Sequence, residues 1–258
     1  MPPPTTPTAR PRAEARALRV LDDEPADAAW NMAADAALLE LAAQPTLRLY
    51  GFRPHAVSIG WFQPIAAFAD VPADVPIVRR PTGGGAIHHG DELTFALVVD
   101  AARLPGDVAS GYRLVHDAVL AALADLGVPA ARNAGGPAQA ARPTERWCFA
   151  EPGRDDLVTE RGKLCGSAQR RVRNGRARVL HHGSLVLRRP ALTAFAAAVE
   201  DRGPVTDAVR TGLRRRVAVR LAAALGLAPA DGSWTDAERA LTSELRRTFA
   251  DPAHLRRR

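Results

Sequence analysis

Two residues fifteen positions apart, Cys148 and Lys163, have the side-chain types of an activated thiol. One is a sulfur nucleophile; the other is an ammonium able to lower its pKa. Lys163 also stands out by counting. The chain carries 35 Lys and Arg residues, and Lys163 is the one lysine among them. Arginine is a planar fork that stays charged, whereas lysine is a compact point charge whose pKa can be moved. A chain whose default cation is arginine keeps a lysine for a reason, or by chance on a solvated turn. The neighbours favour the first reading. Gly162 and Gly166 flank Lys163, and such small residues admit other atoms close to the backbone. Cys148 lies between Trp147 and Phe149, just before Pro152-Gly153, a setting that suits an accessible thiol. Cys165 reads instead as a small buried hydrophobe. It sits beside Lys163 on a strand-like run and is expected to point the other way.

A second stretch is Arg79-Arg80-Pro81-Thr82-Gly83-Gly84-Gly85-Ala86-Ile87-His88-His89. Three glycines let backbone approach a ligand, and their free N–H groups can bind an anion. Arg80 could hold a phosphate or carboxylate bidentately. The run is neither a Walker A loop nor a dinucleotide fingerprint, and alone it fits a flexible turn equally well. The third stretch, His181-His182-Gly183-Ser184, alternates like a strand with a glycine opening; by itself it reads as structural. Adjacent histidines on a strand face opposite ways, and no CxxC, HExxH or zinc-spaced cluster is present, so no metal site is expected.

With 47% hydrophobic but only 5% aromatic residues, the core must be built from Ala, Leu and Val. The net charge of +7 favours acidic partners. Arg214-Arg215-Arg216 and Arg256-Arg257-Arg258 have no interleaved aromatics and read as a solvated helix face and a charged tail. A nucleic-acid-binding module would instead reveal itself by steep salt dependence. No apolar run is long enough to span a membrane, and the Pro-, Thr- and Arg-rich start has no signal-peptide core. The cytoplasm is therefore the expected compartment, with both cysteines as free thiols.

Residues 1–17 read as a disordered lead-in, 18–190 as the catalytic domain and 191–258 as a helical extension packed on that domain. Strands are expected at 18–22, 47–52, 56–61, 77–80, 86–88 and 93–100. A helix over 28–43 would present Met32, Ala36, Leu39 and Ala43 on one face. A helix over 107–126 would present Tyr112, Val115, Val119 and Leu123, with Gly127 as its C-cap. A mobile loop is expected over 130–146. Strands at 156–159, 163–170 and 179–187 follow, the last two joined by an Asn174-Gly175 hairpin. Helices are expected at 191–199, 206–225 and 236–249, the last opened by a Thr235–Glu238 capping box. Strands gathered first and last around one central helix predict an α+β fold with a mixed, largely antiparallel sheet.

The stretch from Arg79 to Val99 resembles the arginine–glycine motif of the lipoate–protein ligase and octanoyltransferase family. Cys148–Arg171 and Val179–Leu187 resemble that family's second and third motifs, and the likeness covers roughly residues 18–190. It implies the biotin/lipoate ligase-like catalytic fold: a mixed sheet, a smaller second sheet and flanking helices. It also implies that Cys148 and Lys163 are catalytic. Arg80, Gly83, Gly84, Gly85, Ala86, Ile87, His88, Gly166, Ser167 and His182 would bind substrate.

Cys148, eight residues before Asp156, resembles the nucleophile of cofactor-independent octanoyltransferases typified in Gram-positive bacteria. Those enzymes pass octanoyl from acyl carrier protein through a cysteine thioester to a lipoyl-domain lysine. The acceptor would be a glycine cleavage H protein or an E2 subunit of a 2-oxoacid dehydrogenase. No nucleic-acid or membrane partner, no cofactor and a monomeric state go with that reading. Gly85-Ala86 and His181 depart from the transferase pattern and keep a second reading open, an ATP- and magnesium-dependent lipoate ligase working through lipoyl-adenylate. A non-catalytic binder of lipoyl domains is a third reading, but it would need neither Cys148 nor Lys163.

Overall fold

The computed structural model describes residues 17–136, 146–173 and 175–257. Residues 1–16 of the lead-in predicted over 1–17, residues 137–145 of the predicted loop and Asn174 of the hairpin lie outside the described residues, and Ala17 already belongs to a strand. The elements run β1 (Ala17–Asp22), α1 (Ala28–Leu41), β2 (Thr46–Tyr50), β3 (Ala56–Ile59), β4 (Ile77–Arg79), β5 (Ile87–His89) and β6 (Glu92–Asp100). They continue with α2 (Val108–Ala124), β7 (Ala131–Arg132), β8 (Leu157–Thr159), β9 (Gly162–Val172) and β10 (Arg178–Val186). The chain closes with α3 (Asp207–Ala224), β11 (Ala228–Asp231), α4 (Asp236–Ala250) and α5 (Pro252–Leu255).

The strands form a large sheet in the order β11-β1-β2-β6-β10-β9-β8-β7 and a small sheet in the order β4-β3-β5. The large sheet is mixed, as expected. β1 runs parallel to β2 and β11, and every later pair is antiparallel. Alternation along β6 divides two cores. Phe95, Leu97 and Val99 pack with Val115 and Val119 of α2 and Leu213, Val217 and Leu221 of α3. Ala96 and Val98 turn to the other side, toward Met32 and Leu38 of α1.

Helix α2 starts where Asp107 accepts from the Ser110 N–H, and Tyr112, Val115, Val119 and Leu123 are all buried. Gly127 takes the positive φ of 68° that favours glycine. Helix α1 departs from its expected single face. Ala43 is exposed, while Ala33, Ala34, Asp35, Ala37 and Leu38 are all buried. The reason is tertiary: α4 covers the side of α1 that a surface helix would give to water.

The predicted helix over 191–199 is not formed. Two 3₁₀ turns, Ala191–Thr193 and Val199–Arg202, take its place. Between them Ala196, Ala197 and Ala198 are buried, and the Ala197 N–H donates to the Lys163 carbonyl at 3.0 Å. Good helix formers are thus held against the start of β9 by packing and a long-range bond, which outweigh propensity. The last segment also holds an unexpected strand, β11, which extends the large sheet beside β1. The Thr235–Glu238 capping box opens α4 as expected, and Glu238 additionally forms a buried ion pair with Arg19 at 2.6 Å.

Candidate active site

The glycine-rich segment and the cysteine meet edge to edge. The Cys148 N–H donates to the Ala86 carbonyl at 2.8 Å, and the Ala86 N–H donates to the Arg146 carbonyl at 2.7 Å. Gly85 permits that pairing. A Cβ there would lie 2.8 Å from Cys148 N and 3.0 Å from its Cα, closer than any side chain allows. Gly84 adopts φ 92°, a conformation L side chains rarely take.

Lys163 is brought to the same place by β9. Its Nζ donates to Cys148 Sγ at 3.2 Å and sits 2.6 Å from Asp156 Oδ2. Both Lys163 and Asp156 are buried, whereas Cys148 is half-buried. Burial alone would lower the Lys163 pKa. The influence of Cys148 in its ionised form, and that of Asp156, outweigh it and hold the ammonium above its ordinary value. The stem of Lys163 passes over Gly166, where a Cβ would fall within 2.6 Å of Nζ. Asp156 is itself held by the Gly153 N–H at 2.7 Å. It follows Asp155, a non-glycine residue at φ 72° whose carboxylate takes a bond from Arg132 at 2.8 Å.

Cys165 is fully buried in the core under α2, and burial pushes its thiol pKa well up. Its orientation has a different cause from simple alternation, which would put residues 163 and 165 on one face. Lys163 pairs with Val158 and Cys165 with Leu157, so Leu164 is an extra residue on β9. This β-bulge separates the two side chains.

The cavity beside Cys148 lies between the two sheets. Among the expected site residues Arg80, Gly84, Ile87, Gly166, Ser167 and His182 line it. Its free volume is about 30 Å³, room for one or two waters. Gly83, Gly85 and Ala86 do not line it. Gly83 and Gly85 instead give their carbonyls to the Arg80 guanidinium, each at 2.7 Å. A third bond runs from Arg80 to the Ser58 carbonyl at 3.0 Å. Burial lowers the Arg80 pKa, against the raising influence of Cys148 and Tyr112.

His88 also fails to reach the cavity. Strand alternation on β5 puts Ile87 and His89 on the cavity side and turns His88 toward His55, at 3.0 Å, and the Leu192 N–H. His182 Nε2 meets Thr82 Oγ1 at 2.7 Å and its Nδ1 faces Asp35 Oδ2 at 3.4 Å. The Ser167 hydroxyl is shared between His116 and His181, each at 2.7 Å. Among the described residues no group of three or more His, Cys, Asp and Glu is poised to hold a metal ion, and no helix is long and apolar enough to cross a membrane.

Sequence reasoning missed Asp156, Ser58, His89 and Glu92 as site residues. His89 and Glu92 carried a faint signal, an imidazole and a carboxylate three apart across a tight turn. Ser58, thirty-one positions before His89, carried none.

The family described as "Lipoyl protein ligase A/B catalytic domain" matches residues 27–243. The octanoyltransferase LipM of Kyrpidia tusciae is 38% identical over 210 residues, 76% of this chain and 74% of the relative. That of Bacillus subtilis is 34% identical over 183 residues, 66% of this chain and 65% of the relative. The chain thus spans about two thirds to three quarters of the length of these curated relatives. A crystal structure of lipoate–protein ligase A bound with ATP superposes with a TM-score of 0.72 at 21% identity, covering 93% of this chain and 98% of the other. A bipartite lipoate protein ligase from Thermoplasma acidophilum superposes with a TM-score of 0.70 at 21% identity, covering 92% and 95%. These two structures share the fold. By the extent of the profile match and the identity to its relatives, the chain belongs to the lipoyl protein ligase A/B catalytic domain family.

Proposed function

We propose that this protein is a protein N-octanoyltransferase that acylates the acceptor lysine of lipoyl-domain proteins through a Cys148 thioester. The observation that carries the reading is Lys163 Nζ standing 3.2 Å from Cys148 Sγ, with Asp156 behind it. A nucleophile within hydrogen-bond reach of a fixed cation is the arrangement covalent acyl transfer requires. The two relatives named octanoyltransferase LipM support the same reaction.

In the first half-reaction the Cys148 thiolate attacks the thioester carbonyl of an octanoyl-carrying donor, acyl carrier protein. The carrier thiolate leaves and is protonated, and one thioester replaces another, so no ATP is consumed. In the second half the neutral ε-amine of the acceptor lysine attacks the Cys148 thioester and loses a proton. Cys148 sulfur leaves with the bonding electrons, and an amide forms. Lys163, kept as an ammonium, stabilises the thiolate in its leaving and attacking states and faces the developing oxyanion. Arg80, buried and, among the described residues, without a carboxylate hydrogen-bond partner, adds a second positive charge near the sulfur. The net charge of +7 suits acidic carrier and lipoyl domains.

Intact mass after mixing the protein with octanoyl carrier protein and no nucleotide tests the proposal. The expected result is one octanoyl group on the wild type, removed by neutral hydroxylamine, and none on Cys148→Ala. Acylation of an acceptor domain only with free lipoate plus ATP would replace the transferase with the ligase reading.

A further inference from the structure

A second constellation of polar side chains shares the cavity with Cys148. Ser58 Oγ on β3 lies 2.7 Å from His89 Nε2 on β5, and His89 Nδ1 lies 2.5 Å from Glu92 Oε1 on β6. The direction of the protons follows from the partners. Glu92 also accepts from Thr94 Oγ1 at 2.6 Å and from Ser184 Oγ at 2.5 Å. Three donors around one carboxylate assign the His89 hydrogen to Nδ1 and leave the Nε2 lone pair to take the Ser58 hydroxyl proton. Nucleophile, base and base-orienting carboxylate thus stand in the order acyl transfer from serine demands.

The site has an anion-stabilising partner as well. Arg80 NH1 is 3.4 Å from Ser58 Oγ. Its Nε is buried and, among the described residues, has no hydrogen-bond acceptor. Leaving such a donor unpaired is costly. Ser58, His89 and Arg80 all line the cavity. A network that only joined the two sheets would need neither a hydroxyl at the cavity wall nor an unpaired cation beside it.

We propose that Ser58, His89 and Glu92 form a serine acyl-transfer centre, distinct from Cys148, that hydrolyses small carboxylic esters. Ser58 Oγ bonds to the ester carbonyl carbon as its proton passes to His89 Nε2. The carbon–oxygen bond to the alcohol breaks, and His89 returns the proton to the leaving alkoxide. Water then attacks the acyl-serine and gives a proton to His89. The carboxylic acid departs as Ser58 regains its hydrogen. Ester and water become acid and alcohol, with no other reactant.

The test uses full-length Cys148→Ala, which removes the reactive thiol, with p-nitrophenyl acetate as substrate and a fluorophosphonate as covalent label. Catalytic release of p-nitrophenol is expected, together with a single phosphonyl adduct mapping to Ser58. Adding Ser58→Ala or His89→Gln should lower turnover by about a hundredfold or more. No turnover above that of the denatured protein, or an adduct on another residue, would overturn the proposal. So would unchanged turnover in Cys148→Ala/Ser58→Ala. The adduct is read with Ser58 intact, so the outcome does not depend on how Ser58→Ala folds. Octanoyl transfer is read on wild-type Cys148, so failure of one proposal leaves the other standing.

Discussion

Along β6 and β10 alternate side chains build two unlike faces. Toward α2 and α3 stand Phe95, Leu97, Val99, Val179 and Leu185. Toward α1 and the small sheet stand Glu92, Thr94, His182 and Ser184, with Arg48, Asp35 and Tyr50 close by. The first face needs only complementary volume, because dispersion and apolar burial are non-directional. The second must hold buried polar groups, and it does so through bonds between distant elements. Arg48 reaches Asp23 at 2.6 Å and Asp35 at 3.1 Å, and Glu92 collects three donors. The contrast shows a division of labour. The α2/α3 face stabilises the sheet, and the opposite face spends that stability on holding reactive groups out of water.

The sharpest way to break this comparison is Lys163→Arg. If the polar face works by exact placement of a compact donor, the wider guanidinium should not fit over Gly166. Turnover should fall by at least ~10²-fold in a normally folded protein, as for loss of one preorganised donor. Near-normal octanoyl transfer by that variant, measured against wild type at equal acceptor concentration, would remove Lys163 from the chemistry. A smaller loss, about tenfold, is expected of Asp156→Asn, which removes one charge-assisted bond to the ammonium. The Lys163 pKa should then drop, because a raising charge is gone. The alkaline limb of the rate profile should accordingly move to lower pH, since the ammonium is lost as pH rises through its pKa. A profile that only scales down, without moving, would make Asp156 a mere packing residue.

Cys165→Ser probes the apolar face. A hydroxyl without a partner there should cost ~1–3 kcal/mol of stability in denaturant unfolding, while octanoyl transfer stays near wild type. Loss of transfer without loss of stability would mean that the wrong thiol has been assigned. The smallest effect is expected from His88. Burial, and then the neighbouring His55 and His89, lower its pKa to about 4. A depressed folded-state pKa gives stability that is present above the unfolded value near 6.5 and is lost as pH falls toward 4. His88→Gln should flatten the acid destabilisation between those values. An unchanged slope in urea midpoints between pH 6.5 and 4 would rule this out.

Much of this was readable from local pattern. The 3.6-residue periodicity of Tyr112, Val115, Val119 and Leu123 marked α2. The Thr235–Glu238 box marked the start of α4, and a chain with one lysine pointed to Lys163. These signals are local because capping, periodicity and residue choice act within a few positions. Local rules misled where distant contacts outweighed them. The alanines at 196–198 favour helix in isolation, yet they are held against β9 by packing and a bond to the Lys163 carbonyl. His88 was placed in the cavity by motif likeness, and strand alternation on β5 turned it away.

Composition and spacing thus settled the strand-rich α+β class, the pairing of a thiol with the lone lysine, and the glycines beside them. Folding alone decided which groups meet. Asp156 reaches Lys163 because β8, which it precedes, pairs antiparallel with β9. Ser58 reaches His89 because β3 and β5 pair antiparallel, and His89 reaches Glu92 where the small sheet closes on the large one. Hydrogen bonds across a sandwich of two sheets depend on register and closure. Those are fixed by the sum of all the contacts rather than by any short stretch of chain.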